Sequence, residues 1–197
     1  MIAIVDYGAG NIFSVKNALD YLGIESRLTS DPAELEAAES IILPGVGAFP
    51  AAMEMLEKRG LTGILKEQAK KKPLLGICLG MQMLFEKSFE FGECEGLGLI
   101  KGYVDKMEEP GLVIPHMGWN KLVYNHESPL FKGLEESYVY FVHSYKASVR
   151  TSPSTPTVST VIPFPPWWAT ENTSGAASST RRNPVRRVSL YCAISQH

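Results

Sequence analysis

The sequence predicts an α/β protein with an open, mostly parallel sheet and helices on both faces. Short apolar runs that end in glycine-rich turns alternate with stretches of helical periodicity through the first half of the chain. The runs are continuously apolar, as in strands buried on both faces. With 197 residues and a hydrophobic fraction of 45%, the chain is long enough to bury a substantial core.

Three strand–turn–helix units follow one another. The first has a strand at 2–7, a turn GAG and a helix that Asn11 can cap and Gly23 can end. The second has a strand at 39–47 with a glycine-rich end, followed by a helical pattern at 51–72. The third has a strand at 73–78 and a helical pattern over LGMQMLFEK, and from about residue 97 strands predominate.

The C-terminal part of the chain differs in composition from the rest. Its last 51 residues hold six of the 13 prolines, five of the seven arginines and only one of the 17 glycines. Serine and threonine are abundant there, without a sustained period of 2 or 3.6 residues. We therefore predict a domain over residues 1–146 and an aberrant, disordered tail over residues 147–197.

Cys78 lies in the stretch GICLGMQ, between two glycines and directly after a predicted strand. A strand, Gly-x-Cys-x-Gly and a helix form the layout of a nucleophile elbow, which lifts a reactive side chain out of the sheet. The helix N-terminus favours the thiolate, and the N–H of Leu79 can hold an oxyanion. The alternative is a buried core cysteine, and the pattern alone leaves the two about equal.

Two further glycine turns, GAGN at 8–11 and PGVG at 44–47, are expected at the same edge of the sheet, where open α/β folds bind ligands. PGVG can supply a second oxyanion donor, although spacing alone favours a plain turn. GAGN lacks the full pattern of a phosphate-binding loop, so that function is weakly supported.

Four stretches together resemble the class I glutamine amidotransferases: GICLGMQ, PGVGAF, PHMGWN at 115–120 and YFVHSY at 140–145. The resemblance covers residues 1 to about 145. It implies a flavodoxin-like fold and a glutaminase that hydrolyses glutamine through a cysteine nucleophile, with no metal or organic cofactor. DYGAGN and PHMGWN favour a member that feeds ammonia to a cyclase over one that serves another synthase.

The resemblance also implies roles for individual residues. Cys78 matches the nucleophile. The matching oxyanion and substrate-binding positions are Gly45, Val46, Leu79, Gln82, His143, Ser144 and Tyr145. Asn11 and Trp119 lie in stretches that resemble the face toward a partner subunit, a (β/α)8-barrel cyclase.

A cysteine hydrolase of this kind also needs a histidine base and a carboxylate that orients it. The family has these near the C-terminus, in a stretch like QFHPEKS. None of the four histidines of this chain is followed by Pro-Glu: His116 and His143 lie in other family motifs, His126 lies in a polar turn, and His197 has no acidic neighbour. The triad histidine and glutamate are therefore absent, and we expect this exact chain to be inactive or nearly so.

A change of reading frame explains this absence. One permitted set of codons for SSTRRNP (178–184), read one nucleotide earlier, encodes Gln-Phe-His-Pro-Glu-Lys-Ser. The same one-nucleotide shift allows the codons of PFPPWW (163–168) to encode Pro-Phe-Pro-Ala-Val-Val, a stretch that the family also has there. Two matches in one frame and in the right order indicate a shift near residues 146–150. The resemblance then implies that the C-terminal strands and the closing helix of the family fold are missing from this chain. The frame shift also explains the arginines at 181–187, which would otherwise suggest a nucleic-acid-binding tail.

The net charge, the lengths of the apolar runs and the cysteine spacing exclude several other classes of protein. The net charge of −2 gives no overall attraction to nucleic acid or an anionic membrane. We see no membrane-length apolar run and no secretory signal, and the three cysteines show neither disulfide nor metal-ligand spacing. We therefore expect a cytoplasmic protein. Two functions stay open: a glutaminase subunit, and an inactive pseudo-glutaminase that only docks on the cyclase.

Overall fold

The computed structural model describes residues 1–108, 113–121, 138–149, 159–160 and 188–191, the last two segments by their backbone only. Five helices lie in this part of the chain: α1 (Ile12–Tyr21), α2 (Pro32–Ala37), α3 (Phe49–Lys58), α4 (Leu61–Gln68) and α5 (Leu79–Gln82). None of them is long and apolar enough to cross a membrane.

Twelve strands lie in the same described segments. They are β1 (Ile2–Val5), β2 (Ser26–Thr29), β3 (Ser40–Leu43), β4 (Leu74–Ile77), β5 (Phe85–Ser88), β6 (Cys94–Glu95), β7 (Ile100–Lys106), β8 (His116–Lys121), β9 (Tyr138–His143), β10 (Tyr145–Val149), β11 (Ser159–Thr160) and β12 (Val188–Tyr191).

The largest sheet has six strands in the order β11-β12-β4-β3-β1-β2, and all of its pairs are parallel. The strands β1, β3 and β4 are apolar on both faces, and two clusters of buried side chains cover them. The larger cluster contains Val5, Leu43 and Leu74, and the smaller one contains Ile4 and Ile42. The predicted open parallel sheet, with its three strands that end in glycine turns, is confirmed.

The other strands form two smaller sheets. A four-stranded sheet has the order β10-β7-β5-β6, and β8 pairs with β9 in an antiparallel ribbon. The change to strands beyond residue 97 is therefore confirmed. β2 and α2 were not predicted. Asp31 caps α2, since its side-chain oxygen accepts a hydrogen bond from the N–H of Ala33 at 2.9 Å.

Two predicted helices are shorter in the structure. The helical pattern at 51–72 is divided into α3 and α4 because Gly60 adopts φ +67°, a left-handed conformation that a helix interior does not allow. The helix after Cys78 ends at Gln82, and Phe85–Ser88 is a strand instead. Phe85 and Ser88 are fully buried, because this segment pairs with β6 and β7; tertiary pairing therefore overrides the helical pattern.

The expectation that the C-terminal strands are missing is wrong for two short segments. β12 pairs in parallel with β4, and β11 pairs with β12. Without β12, the N–H and C=O groups along one side of β4 would be unpaired in the middle of the fold, which is costly. Residues 147–149 of the predicted tail also belong to a strand, since they form the end of β10, which pairs with β7. The closing helix and the remaining residues of the tail lie outside the described residues.

Candidate active site

Cys78 lies at the sharp turn between β4 and α5 and has φ +55° and ψ −119°. A positive φ is uncommon for a residue with a side chain, and such strain is concentrated at functional sites. The carbonyl of Cys78 accepts hydrogen bonds from the N–H groups of Met81 at 3.0 Å and Gln82 at 3.2 Å, which close the turn. This geometry is that of a nucleophile elbow and favours a reactive cysteine over a core cysteine.

The two glycines of Gly-x-Cys-x-Gly are required by close packing. A Cβ on Gly76 would lie 2.5 Å from the Cα of Met81, and a Cβ on Gly80 would overlap the carbonyl oxygen of Leu43. Real side chains do not approach so closely. The elbow can therefore fold back onto its own strand and onto the end of β3 only if both positions lack a side chain.

The elbow and the PGVG turn are in contact through their backbones. A Cβ on Gly45 would lie 2.9 Å from the carbonyl carbon of Leu79 and would overlap the N–H of Gly80. Val46, the next residue, is 45% exposed, so the turn borders solvent. The structure thus brings Gly45, Val46 and Leu79 to Cys78, where backbone N–H groups could hold a developing oxyanion.

The GAGN turn lies beside PGVG. A Cβ on Gly10 would lie 3.2 Å from the side chain of Pro44. Asn11 caps α1, since its Oδ1 accepts a hydrogen bond from the N–H of Ser14 at 3.2 Å. All three glycine turns therefore meet at the carboxyl edge of the large sheet, as the sequence predicted.

The helix after the elbow is only one turn long. Peptide dipoles add along a helix, so α5 stabilises a thiolate less than the longer predicted helix would. Gln82, the last residue of α5, has a buried side chain on the same short element as Leu79.

His143, Ser144 and Tyr145 form the connection between β9 and β10. Nδ1 of His143 lies 3.0 Å from the carbonyl oxygen of Tyr145, and its Nε2 has no hydrogen-bond partner among the described residues. Burial lowers the pKa of His143, against the opposing effect of this hydrogen bond. The imidazole is therefore neutral near pH 7. The carbonyl of Ser144 accepts a hydrogen bond from the N–H of Met107 at 2.9 Å.

Glu90 lies near both the helix that follows PGVG and Tyr145, and no feature of the sequence singled it out. This buried carboxylate accepts a hydrogen bond from the N–H of Phe49 at 2.7 Å, at the start of the helix that follows PGVG. Burial raises the pKa of Tyr145, and the negative charges of Glu90 and Asp105 raise it further. Tyr145 therefore lies within electrostatic range of Glu90, although no motif distinguishes this glutamate from its neighbours.

Trp119 is half-exposed on the β8–β9 ribbon, where its ring packs edge-on against Tyr140 with centroids 5.7 Å apart. Met117 and Val142 face each other in the same ribbon and are also more than half exposed. These side chains form an apolar stripe. The opposite face contains His116, Phe141 and His143, whose rings are in contact.

Comparison with known proteins agrees with this geometry. The family model described as glutamine amidotransferase class-I matches residues 3–162. This chain belongs to the class I glutamine amidotransferases. The elbow at Cys78 and the adjoining PGVG turn both lie within the residues that the family model matches.

Curated relatives are similar to this amidotransferase over 75% of its length. Proteins named imidazole glycerol phosphate synthase subunit HisH are 52% identical in Listeria innocua, over 72% of that protein, and 56% identical in Bacillus cereus (strain G9842), over 71%. The protein of the same name from Sulfurimonas denitrificans is 56% identical, over 73% of its length.

Solved structures share the fold. A glutamine amidotransferase crystal structure superposes with a TM-score of 0.58 at 20% identity, covering 72% of this chain and 71% of that one. PurLQS from Thermotoga maritima superposes with a TM-score of 0.57 at 21% identity, covering 76% and 69%. The overall fold is therefore shared with these distant proteins.

Proposed function

We propose that this chain is the glutaminase subunit of an imidazole glycerol phosphate synthase. It hydrolyses glutamine to glutamate and ammonia and channels the ammonia to the cyclase subunit, in histidine biosynthesis. The observation on which this rests is an identity of 51–56% to curated proteins of that name. The strained elbow at Cys78 supplies the chemistry.

In this proposal, the sulfur of Cys78 attacks the side-chain amide carbon of glutamine. A γ-glutamyl thioester forms, ammonia leaves, and water then releases glutamate. The backbone around Gly45, Val46 and Leu79 holds the oxyanion, and Gln82, His143, Ser144 and Tyr145 hold the glutamine. The contact between the PGVG turn and the elbow supports the first assignment, because it sets the two candidate donors side by side.

We further propose that the cyclase contacts the apolar stripe of Trp119, Met117 and Val142, and also Asn11, to form a heterodimer. Half-exposed aromatic and apolar side chains on a regular ribbon are typical of the centre of a protein interface. The cyclase would be a (β/α)8 barrel. A cytoplasmic location fits this partnership.

The docking-only pseudo-glutaminase is not favoured, since the relatives are named as subunits of the synthase and the elbow is intact. We retain the proposal that a frame shift near residues 146–150 separates a domain at 1–146 from an aberrant tail at 147–197. The family model reaches residue 162, somewhat beyond that boundary. The frame-shift proposal rests on two observations. No histidine of this chain is followed by Pro-Glu, and two stretches of the tail match the family when they are read in the shifted frame.

The test is glutamate release from glutamine in the presence of the cyclase subunit. It is measured for this chain and for a version whose frame is restored by one nucleotide between codons 146 and 150. Cys78→Ala should abolish release in the restored version, and Cys94→Ala, the matched control, should not. No glutamate from either version, or activity that survives Cys78→Ala, would contradict the proposal.

A further inference from the structure

Tyr7, Gly45 and Cys78 lie at the same level of the large sheet. Ile4 is paired with Ile42, and Ile42 with Leu75, in parallel register. Tyr7, Gly45 and Cys78 each lie three residues after these paired positions, just beyond the ends of β1, β3 and β4. Successive residues of a strand point to opposite faces. Ile4 belongs to the smaller core cluster, whereas Tyr7 packs in the larger one, together with Leu79 and Met81 of the elbow.

Gly45, on the strand between those of Tyr7 and Cys78, has no side chain that would separate them. Adjacent strands lie about 4.8 Å apart, so Tyr7 and Cys78 are about 10 Å apart at the backbone, a distance that a tyrosine side chain largely spans. The backbone of Leu79 and Gly80 also occupies the place where a Gly45 side chain would be. The elbow therefore leans across the end of β3 toward Tyr7.

The hydroxyl of Tyr7 is buried and lacks a hydrogen-bond partner among the described residues. The residue is only 1% exposed. Burial without a partner is unfavourable for a hydroxyl, and such groups in native proteins need an explanation. An acceptor that is present in only one chemical state of the site would explain why this hydroxyl has no partner.

The electrostatic surroundings keep the phenol protonated. Burial raises the pKa of Tyr7 well above its ordinary value, and the negative charge of Cys78 raises it further. The charged groups next to Tyr7 in the fold are already engaged: Arg59 donates to the carbonyl of Asp6 at 3.2 Å, and Oδ1 of Asp6 accepts from the N–H of Gly8 at 3.0 Å. The phenol therefore has a proton to donate near neutral pH, and Cys78 lies within its electrostatic range.

We infer that the Tyr7 hydroxyl donates a hydrogen bond to Sγ of Cys78 whenever that sulfur is negatively charged. The phenol keeps its proton throughout, so no proton is transferred. Hydrogen bonds to ionised acceptors are roughly twice as strong as neutral ones, so this bond lowers the pKa of the thiol and stabilises the thiolate that leaves when the thioester is hydrolysed. The inference deepens the proposed function and rests on it in that Cys78 is the nucleophile.

Tyr7→Phe tests the inference, because it removes only the oxygen. The alkylation rate of Cys78 by iodoacetamide is followed from about pH 6 to about pH 10 by mass spectrometry of its peptide, with Cys94 of the same molecule as the reference. The midpoint for Cys78 should rise by about one pH unit in Tyr7→Phe, a roughly tenfold loss of thiolate at neutral pH, and that for Cys94 should not move. An unchanged Cys78 midpoint would overturn the inference.

The unaltered chain provides a second measurement that does not depend on folding of the variant. Burial raises the pKa of the Cys94 thiol, so Cys78 should be alkylated with a lower midpoint than Cys94. Equal midpoints, or a higher one for Cys78, would overturn the inference.

Urea unfolding distinguishes the hydrogen bond from simple packing. The unaltered chain should be more stable than Tyr7→Phe above the Cys78 midpoint and lose that advantage below it, whereas a difference independent of pH would contradict the inference. Tyr21→Phe, at an exposed tyrosine, is the control.

The alkylation measurement needs no glutamine, so it does not depend on glutaminase activity. A shift without glutaminase activity in the frame-restored version would therefore refute only the proposed function, and activity of that version without a shift would refute only this inference.

Discussion

The Glu90 carboxylate and the backbone N–H of Phe49 are joined by a hydrogen bond of 2.7 Å, across 41 residues of chain. Ala48, the N-cap of α3, provides no side-chain cap. A carboxylate from the loop after β5 thus satisfies one of the N–H groups left unpaired at the start of α3. Because α3 follows the PGVG turn, this bond also ties the turn to the four-stranded sheet.

Glu90→Ala should destabilise the protein by about 1–3 kcal/mol, because it leaves a buried N–H without its acceptor. Glu90→Gln keeps an acceptor oxygen and should cost less. Urea unfolding measures both. The control is Glu93→Ala, at an exposed carboxylate that pairs with Lys87 at 2.9 Å and should contribute less than about 1 kcal/mol. Equal effects at positions 90 and 93 would show that the bond to Phe49 is unimportant.

Gly80→Ala should be strongly unfavourable, because the new methyl group would overlap the carbonyl oxygen of Leu43 at the end of β3. Overpacking of this kind costs about 1–3 kcal/mol or more. Gly63→Ala is the matched control, since no atom lies within 4 Å of the added Cβ inside α4. It should stabilise by about 0.5–1 kcal/mol. Thermal or urea unfolding compares the two, and a tolerated alanine at position 80 would argue against the tight elbow.

The stability of the protein should fall on mild acidification because of His143. Burial lowers the pKa of His143 in the folded state, so below about pH 6.5 the unfolded chain binds more protons than the folded one. This contribution is complete above the unfolded pKa and is lost as the pH falls through the folded value. Urea midpoints across this range should depend less on pH in His143→Asn. Identical pH profiles would show that another group is responsible.

Restoring the reading frame should raise glutaminase activity by about 10²–10⁴-fold, the usual contribution of a general base. The measurement is the rate of glutamate release with the cyclase subunit, relative to the chain as written. Cys78→Ala in the restored chain gives the background rate. Equal rates for the two frames would mean that the shifted stretch does not supply the base.

Trp119→Ala should weaken binding of the cyclase subunit at least about tenfold, as expected of an aromatic residue at the centre of an interface. Tyr21→Ala, at an even more exposed aromatic residue at the far end of α1 from Asn11, should leave the affinity within about twofold. Sedimentation or calorimetry gives both values. Equal losses would place the contact elsewhere.

The sequence alone determined the strand–turn–helix order, the parallel sheet and the position of Cys78. These follow from local chemistry: continuous apolar runs indicate buried strands, glycines indicate tight turns, and Asn11 caps α1 just as its position before an apolar periodic segment predicted. The three turns meet at one edge because parallel strands all end on the same side.

The tertiary structure decided what the strands bring together. Phe85 is in a strand because β6 and β7 pair with its segment, against its predicted helical pattern. Glu90 reaches Phe49, and Tyr7 lies level with Cys78, only once the sheets are assembled. Such relationships depend on register and on contacts between distant segments, which no local pattern encodes, because the free energy that selects them comes from burial and hydrogen bonding across the whole fold.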